Sequence, residues 1–285
     1  MKITLIVLSF FGFFNLSFSQ TTNYFIFGLG VKGSTIYAGT NKGIYRSDDQ
    51  GATWQSANKG IKNKENETII IWNFFFYEEK IYATAGPKGF FVSSDGLAWE
   101  KLSTGFEEKD FITSIWVNEK NTFAGTVHNG MYMLLKNDKS GVWIKYPEGF
   151  NKNEAIRCFA GFGSGILAGT DSKNIYRSIN GGGTWAKTEN GPKTKNIYKL
   201  AVRKDNFFAA CDREKIYFSS GVGDNWTPVK FELTKKEQIA ALAANETSVF
   251  IGSNTRGVFL SNDDGKTWTQ SIDGLENKSI MCFAV

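Results

Sequence analysis

The chain has 285 residues, of which 41% are hydrophobic, 21% charged and 15% aromatic, and its formal net charge is +5. A chain this aromatic can bury enough apolar surface to offset the entropy cost of ordering, so the composition excludes an intrinsically disordered protein. No apolar run of membrane-spanning length follows the first twenty residues, which excludes a multi-span membrane protein. Thirty Gly and 25 Phe against 4 Pro indicate a packed all-β protein with many tight turns.

The N-terminus has the composition of an export signal. Lys2 supplies a positive charge, an almost wholly apolar stretch follows it, and Ser17 and Ser19 place small residues where a signal peptidase cleaves. We therefore predict a signal peptide over residues 1–19 and one mature domain over residues 20–285, in a secreted protein of the periplasm or the extracellular space. A retained membrane anchor is the alternative, but the apolar stretch is short for a span. Without Lys2 the chain keeps 32 Lys and Arg against 28 Asp and Glu, a balance that does not call for a nucleic-acid partner.

The rest of the chain is organised by six repeats. Their Trp residues are separated by 45, 44, 42, 41 and 42 residues. Four short strands per repeat of about 43 residues are typical of a propeller blade, and blades must stack into a ring to bury both faces of each sheet. The sequence therefore predicts a β-propeller of six four-stranded blades. Residues 279–285 are a seventh copy of the inner strand, so a seven-bladed ring with an incomplete last blade is the alternative.

Each repeat opens on an apolar inner strand, continues through two short strands joined by a turn, and closes on a shorter strand at the Trp. The inner strands are predicted at residues 24–29, 69–75, 111–117, 155–160, 197–202 and 239–243. Cys158, Cys211 and Cys282 fall within strand patterns, which favours free buried thiols over one disulfide among the three.

The turn between the third and fourth strands carries the strongest motif. The first copy reads Ser47-Asp48-Asp49-Gln50-Gly51-Ala52-Thr53-Trp54, and the last runs in the same way from Ser261 to Trp268. This pattern, Ser-x-Asp-x-Gly-x-Thr-Trp, closely resembles the Asp-box of the bacterial neuraminidase repeat (BNR) family, which occurs in sialidases, sortilin-type receptors and photosystem II assembly factor-like propellers. The other four copies are degenerate. The residues predicted to build these turns are Ser47, Asp49, Gly51, Trp54, Asp95, Trp99, Asn180, Trp185, Ser261, Asp263, Gly265 and Trp268.

The residue types of the motif indicate a structural turn. An Asp or Asn side chain accepts hydrogen bonds from nearby backbone N–H groups, Gly supplies a positive φ, and Trp buries a large apolar body. We therefore predict that these carboxylates fix turns and are neither catalytic acids nor metal ligands. A single His and 3 Cys add to the expectation that the protein needs no metal and no cofactor.

The two ends of the ring can be told apart from the alternation of strand direction. One end collects the motif turns, and the other collects the turns between second and third strands together with the connections between blades. In propellers, ligand sites usually lie around the channel at that second end. Each of its turns carries a residue that can be cationic, and a circle of them could attract an anionic ligand. These candidate binding residues are Lys42, Lys88, His128, Lys173, Arg213 and Arg256, with Arg213 and Arg256 the strongest. The alternative is that they are ordinary charges on exposed turns.

Two functions follow from the resemblance. An exo-sialidase type of glycoside hydrolase would need an arginine triad, a Tyr/Glu nucleophile pair and an acidic proton donor. The chain has only six Arg, and it lacks the Phe/Tyr-Arg-Ile-Pro segment that sialidases carry early in the domain. Carboxylates such as Asp110 and Glu154 lie on blade connections, but nothing in their spacing selects a catalytic pair. We therefore predict no catalytic residue and a non-catalytic secreted propeller that binds a protein or a glycan as a scaffold, with glycoside hydrolysis as the alternative. The sequence leaves the oligomeric state open, and a monomer is compatible with it.

Overall fold

The computed structural model of the chain is made of strands and turns. It describes residues 6–9, 24–61, 69–102, 104–107, 110–135, 141–146, 149–150, 154–172, 174–234, 236–272, 275 and 278–284. Six four-stranded antiparallel sheets follow one another, each with its strands in chain order. The predicted six-bladed propeller is confirmed. The described residues contain no helix with the length and apolar character that a membrane span requires.

The first three blades span the N-terminal half of the ring. Blade one consists of β2 (Ile26–Lys32), β3 (Thr35–Thr40), β4 (Gly43–Ser47) and β5 (Gln55–Ser56). Blade two consists of β6 (Asn73–Tyr77), β7 (Lys80–Thr84), β8 (Phe90–Ser93) and β9 (Glu100–Lys101). Blade three consists of β10 (Ile112–Val117), β11 (Asn121–Thr126), β12 (Met131–Leu135) and β13 (Ile144–Lys145).

The remaining three blades complete the repeats. Blade four consists of β14 (Ile156–Phe162), β15 (Gly165–Thr170), β16 (Ile175–Ser178) and β17 (Ala186–Lys187). Blade five consists of β18 (Ile197–Arg203), β19 (Asn206–Cys211), β20 (Lys215–Ser219) and β21 (Thr227–Pro228). Blade six consists of β22 (Ile239–Ala244), β23 (Val249–Ser253), β24 (Gly257–Ser261) and β25 (Thr269–Ser271).

The C-terminal strand lies outside the six blades. It is β26 (Ile280–Ala284), which packs against the inner strands β22 and β2 and so stands between blade six and blade one. Its pairing partner is β1 (Ile6–Ser9), and the two form a separate two-stranded antiparallel sheet. The predicted seventh copy of the inner strand therefore helps to close the ring.

The middle of each blade is built from small residues. The second strands of blades one, three and four end on Ala-Gly-Thr, and these positions are buried. A Cβ on Gly39 would lie 2.7 Å from the Ile71 carbonyl oxygen, and one on Gly125 would lie 2.8 Å from that of Ile156. Glycine is required because the next blade's inner strand passes directly over this position.

An irregularity recurs at the start of the inner strands. In five blades the register with the second strand shifts after the first pair, so one residue per blade is left out of the ladder. In blade two the strand begins at Asn73 instead of the predicted residue 69, because the Ile71 N–H bonds to the Thr40 carbonyl of blade one. These starts lie at the end of the ring that carries the turns between second and third strands, called below the second-turn face.

Candidate functional site

The turns between third and fourth strands, called here the Ser-Asp turns, are closed by their own side chains. The Ser47 hydroxyl donates to Asp49 Oδ1 at 2.8 Å, and the Thr53 N–H and hydroxyl donate to the same carboxylate at 2.9 and 2.6 Å. The Gly51 N–H donates to the Ser47 hydroxyl. These bonds lower the pKa of Asp49 to about 2, the Thr53 hydroxyl being the largest cause.

Three other copies, in blades two, four and six, repeat this arrangement with variations. In the last copy, bonds from Thr267 and Ser261 lower the pKa of Asp263 to about 2. In blade two Asp95 accepts from Ser93 and from two backbone N–H groups, which also lowers its pKa to about 2. In blade four an amide replaces the carboxylate, and Asn180 accepts from Ser178 and from the Thr184 N–H. Each of these side chains is satisfied within its own turn.

The motif Trp residues that donate an indole hydrogen bond do so in two ways. The indole N–H groups of Trp54 and Trp268 donate to the Gly51 and Gly265 carbonyls of their own turns. Those of Trp99 and Trp143 instead donate to Ala57 and Leu102, which lie on the connection from the preceding blade. Trp185 is buried between blades, with Phe123 of blade three at 5.8 Å between ring centroids. The Trp therefore joins neighbouring blades, in agreement with a structural role.

A glycine on the blade connection completes this joint, and sequence reasoning missed it. Gly60, Gly105 and Gly149 each follow a motif Trp by six residues and have φ between 86° and 103°. A Cβ on Gly60 would lie 2.0 Å from the Trp99 carbonyl oxygen, and one on Gly105 would lie 2.3 Å from that of Trp143. The constant spacing of six residues from Trp was the available signal.

The arginines at the Ser-Asp end join successive blades. Arg46 pairs with Asp48 and donates to the Asp95 carbonyl of blade two at 3.0 Å. Arg177 pairs with Asp224 of blade five, and Arg203 pairs with Asp264 of blade six. Three of the six Arg therefore form contacts between blades at this end. Each of the three guanidinium groups is bonded to a protein carboxylate.

Two of the carboxylates considered for hydrolysis, Asp110 and Glu154, are buried and engaged in hydrogen bonds. Glu154 is 2% exposed and accepts bonds from the Thr170 hydroxyl, the Asn174 amide and the Tyr176 hydroxyl, at 2.8, 2.9 and 2.6 Å. In blade three Asp110 accepts from the Asn129 amide at 2.6 Å and from the Glu107 N–H. Each carboxylate anchors a blade connection to the third strand of the next blade.

The candidate cations on the second-turn face fall into different environments. Lys42, Lys88 and His128 are exposed on their turns, and Lys173 lies outside the described residues. The Arg256 guanidinium lies 4.8 Å from the Phe259 ring centroid and 3.5 Å from the Glu237 carboxylate, so it is held against the third strand. The Arg213 guanidinium lies 5.1 Å from the ring centroid of Tyr198, at the start of an inner strand, and donates to the Gln238 side-chain oxygen at 3.3 Å.

The central channel holds a cavity of about 240 Å³ lined by the inner strands of all six blades and by β26. One side of it is aromatic, with the Trp72 ring 4.7 Å from that of Phe27 and 5.6 Å from that of Phe111. We call these three rings the aromatic sector. Trp72 and Phe27 stand at the second-turn ends of their strands. Part of an apolar side chain can be buried here.

The opposite side of the channel is cationic. Arg157 and Lys199 line the cavity, and we call these two residues the cationic sector. Arg157 pairs with Asp171, whereas Lys199 is exposed and forms no ion pair with any other residue that the structure describes. Two thiols lie beside the ammonium group. Burial raises the pKa of Cys158 to about 12 and that of Cys282 to about 11, and Lys199 opposes both shifts.

Sequence reasoning missed Lys199, although the repeats mark it. The register gives its counterparts in the other blades as Gly28, Ser114, Cys158 and Ala241. A long cation therefore occupies a position that is small in four other blades. The three Cys residues are free, and within the described ranges no three His, Cys, Asp or Glu side chains converge as metal ligands.

Comparisons with known proteins support the fold. Residues 162–279 match the family described as DUF6242 beta propeller domain. No curated protein matches the sequence. YCF48 from Cyanidioschyzon merolae is 13% identical over 91% of this chain and 88% of its own, with a TM-score of 0.63. YCF48 bound to D1 peptide is 15% identical over 91% of this chain and 86% of its own, with a TM-score of 0.68.

A third similar structure is longer. The extracellular domain of BT4673 from B. thetaiotaomicron is 14% identical over 98% of this chain, with a TM-score of 0.68, and the chain spans 37% of its length. At these identities the likeness concerns the fold. The chain is thus similar in fold to propellers that include extracellular domains and a peptide-bound protein.

Proposed function

We propose that the protein is a secreted, non-catalytic propeller that binds a polypeptide segment with acidic and aromatic or aliphatic side chains at the mouth of the channel. The observation that carries this proposal is the pairing of two unlike sectors in one channel. Lys199 supplies an unpaired, exposed positive charge, and Trp72 supplies an apolar surface on the facing side. A charged group and an aromatic platform together select for both parts of such a segment.

The rest of the ring supports a binding role. The buried Asp110 and Glu154 and the turn carboxylates Asp49 and Asp263 are all engaged in structural hydrogen bonds. Closed turns with this bond pattern also fit the predicted resemblance to the Asp-box repeat family. The similar fold of YCF48 bound to D1 peptide agrees with protein binding by a propeller of this kind. Secretion rests on the predicted signal peptide and agrees with the similarity to an extracellular domain.

The test is a selection from a random peptide library displayed on phage, run beside an array of sialylated and sulfated glycans at low and moderate salt. We expect enrichment of peptides that place Asp or Glu near Trp, Phe or Leu. The Lys199→Glu variant should weaken binding of a selected peptide by about tenfold or more, a cost of about 1.4 kcal/mol or more. The matched control is Lys204→Glu, which makes the same charge change on an exposed residue in the turn that follows the same strand.

Three results would count against this function. They are a library without enrichment, equal loss of binding in both variants, and a glycan signal that Lys199→Glu removes while no peptide binds. The last would make a glycan the ligand of the same channel.

A further inference from the structure

The seventh inner strand has a pairing arrangement that the blades do not share. In each blade the inner strand is followed outward by three more strands, whereas β26 is followed by β1 and no other strand that the structure describes. Strand β1 runs antiparallel to it, with Ile6 opposite Ala284 and Val7 opposite Phe283. The strands of the described residues therefore fill the position between blade six and blade one to only part of the depth of a blade.

The wall that blade one presents to this position is less covered than its counterparts. The aromatic residue in the third strand is between 1% and 8% exposed in the other five blades: Phe91, Tyr132, Tyr176, Tyr217 and Phe259. Its counterpart Tyr45 is only partly buried. A shallow filling of the seventh position accounts for this difference.

Strand β1 also lies inside the predicted signal peptide. Cleavage after Ser19 would remove it and leave the outer edge of β26 with unpaired N–H and C=O groups between two apolar walls. One wall contains Tyr45 and Trp54, and the other contains Leu260 next to Phe283. An exposed strand edge of this kind is a template for pairing with another strand.

We propose that in the exported protein the β26 edge accepts an extended apolar strand from a partner polypeptide, which pairs antiparallel in the place that β1 takes in the full chain. The pairing of β1 shows that this edge accommodates such a strand, and the apolar walls select its side chains. This binding mode uses main-chain hydrogen bonds at the seam of the ring. It is independent of Lys199 and of the channel.

The experiment starts from the full chain expressed with export, and the N-terminus of the exported protein is determined by mass spectrometry. We expect it to begin after Ser9, with Gln20 as the predicted first residue. The probe is a synthetic peptide of residues 4–10 with lysines added at both ends for solubility, and its binding is followed by fluorescence anisotropy. The matched control peptide has Val7→Pro, which keeps the length and charge but removes a backbone donor.

We expect saturable binding of one peptide per protein, a loss of about tenfold or more with the proline peptide, and slower amide exchange at residues 280–284. Binding should be unchanged in Lys199→Glu, so that failure here and failure of the channel proposal can be told apart. The proposal is overturned if the exported protein retains residues 6–9, if binding is absent or insensitive to proline, or if the exported protein is a dimer that buries this edge.

Discussion

The two ends of the ring are built from the same repeats and use charge in opposite ways. At the Ser-Asp end Arg46, Arg177 and Arg203 each contact the following blade, and the turn carboxylates are satisfied within their turns. At the second-turn face Lys42 and Lys88 are exposed on their turns, and Lys199 extends unpaired into the channel. At the Ser-Asp end the arginines join neighbouring blades, whereas Lys199 at the other end, a charge with no counterpart in the other blades, is unpaired among the described residues.

The largest effect on stability is expected for Glu154, a carboxylate at the second-turn face that has a structural role. Glu154→Ala removes the acceptor of three buried donors, and we expect the free energy of unfolding to fall by about 3–5 kcal/mol. Glu154→Gln keeps one acceptor oxygen and should cost less. Urea denaturation followed by tryptophan fluorescence measures both. A fully stable Glu154→Ala variant would contradict the structural role of Glu154 and favour the hydrolase alternative.

The joint between blades gives the next effect. Gly60 has φ of 86° and lies against the Trp99 carbonyl, so Gly60→Ala should lower the free energy of unfolding by about 2–4 kcal/mol through strain and a backbone shift. Gly33→Ala is the control, because Gly33 has φ of 61° and open space around its Cβ position. It should cost about 1 kcal/mol. Equal losses in the two variants would show that close packing at the joint contributes nothing.

Two adjacent residues at the Ser-Asp end are expected to contribute differently to stability. Arg203 is 8% exposed and contacts both Asp264 and the Asn262 carbonyl of blade six, whereas Lys204 is exposed. We expect Arg203→Ala to lower the free energy of unfolding by about 1–2 kcal/mol and Lys204→Ala to change it by about 0.5 kcal/mol or less. Thermal and chemical denaturation of the pair decide the matter, and a larger loss in Lys204→Ala would refute the assignment.

The smallest effect concerns the stability of the protein at low pH. The folded pKa of Asp49 and of Asp263 is about 2, below the value near 3.8 of an unperturbed Asp, so their stabilisation is present above pH 3.8 and lost as the pH falls toward 2. In blade four the uncharged Asn180 makes equivalent bonds. The double variant Asp49→Asn, Asp263→Asn should therefore show a weaker decline of melting temperature between pH 4 and pH 2. An unchanged decline would assign acid sensitivity to other groups.

Much of the fold can be predicted from the sequence because the same pattern of strands and turns occurs six times. The Trp spacing predicts the blade count, and the Ser, Asp and Gly of the motif predict the turn that is observed. The residues that line the channel were harder to predict from the sequence. The register shift that places Arg157 and Lys199 is set by pairing between strands and not by local residue type. The environment of Arg256 depends in the same way on Glu237, which lies on a connection between blades. The partnership of β1 with β26 joins the two ends of the chain, and no local pattern predicts it.

The central claim is that the channel binds an acidic polypeptide segment through Lys199. The most direct measurement is the dissociation constant of a library-selected peptide for the wild type, Lys199→Glu and Lys204→Glu, at two salt concentrations. The account predicts binding that weakens with salt, is lost in Lys199→Glu and is retained in Lys204→Glu. Binding that is independent of salt and equal in all three proteins would contradict it.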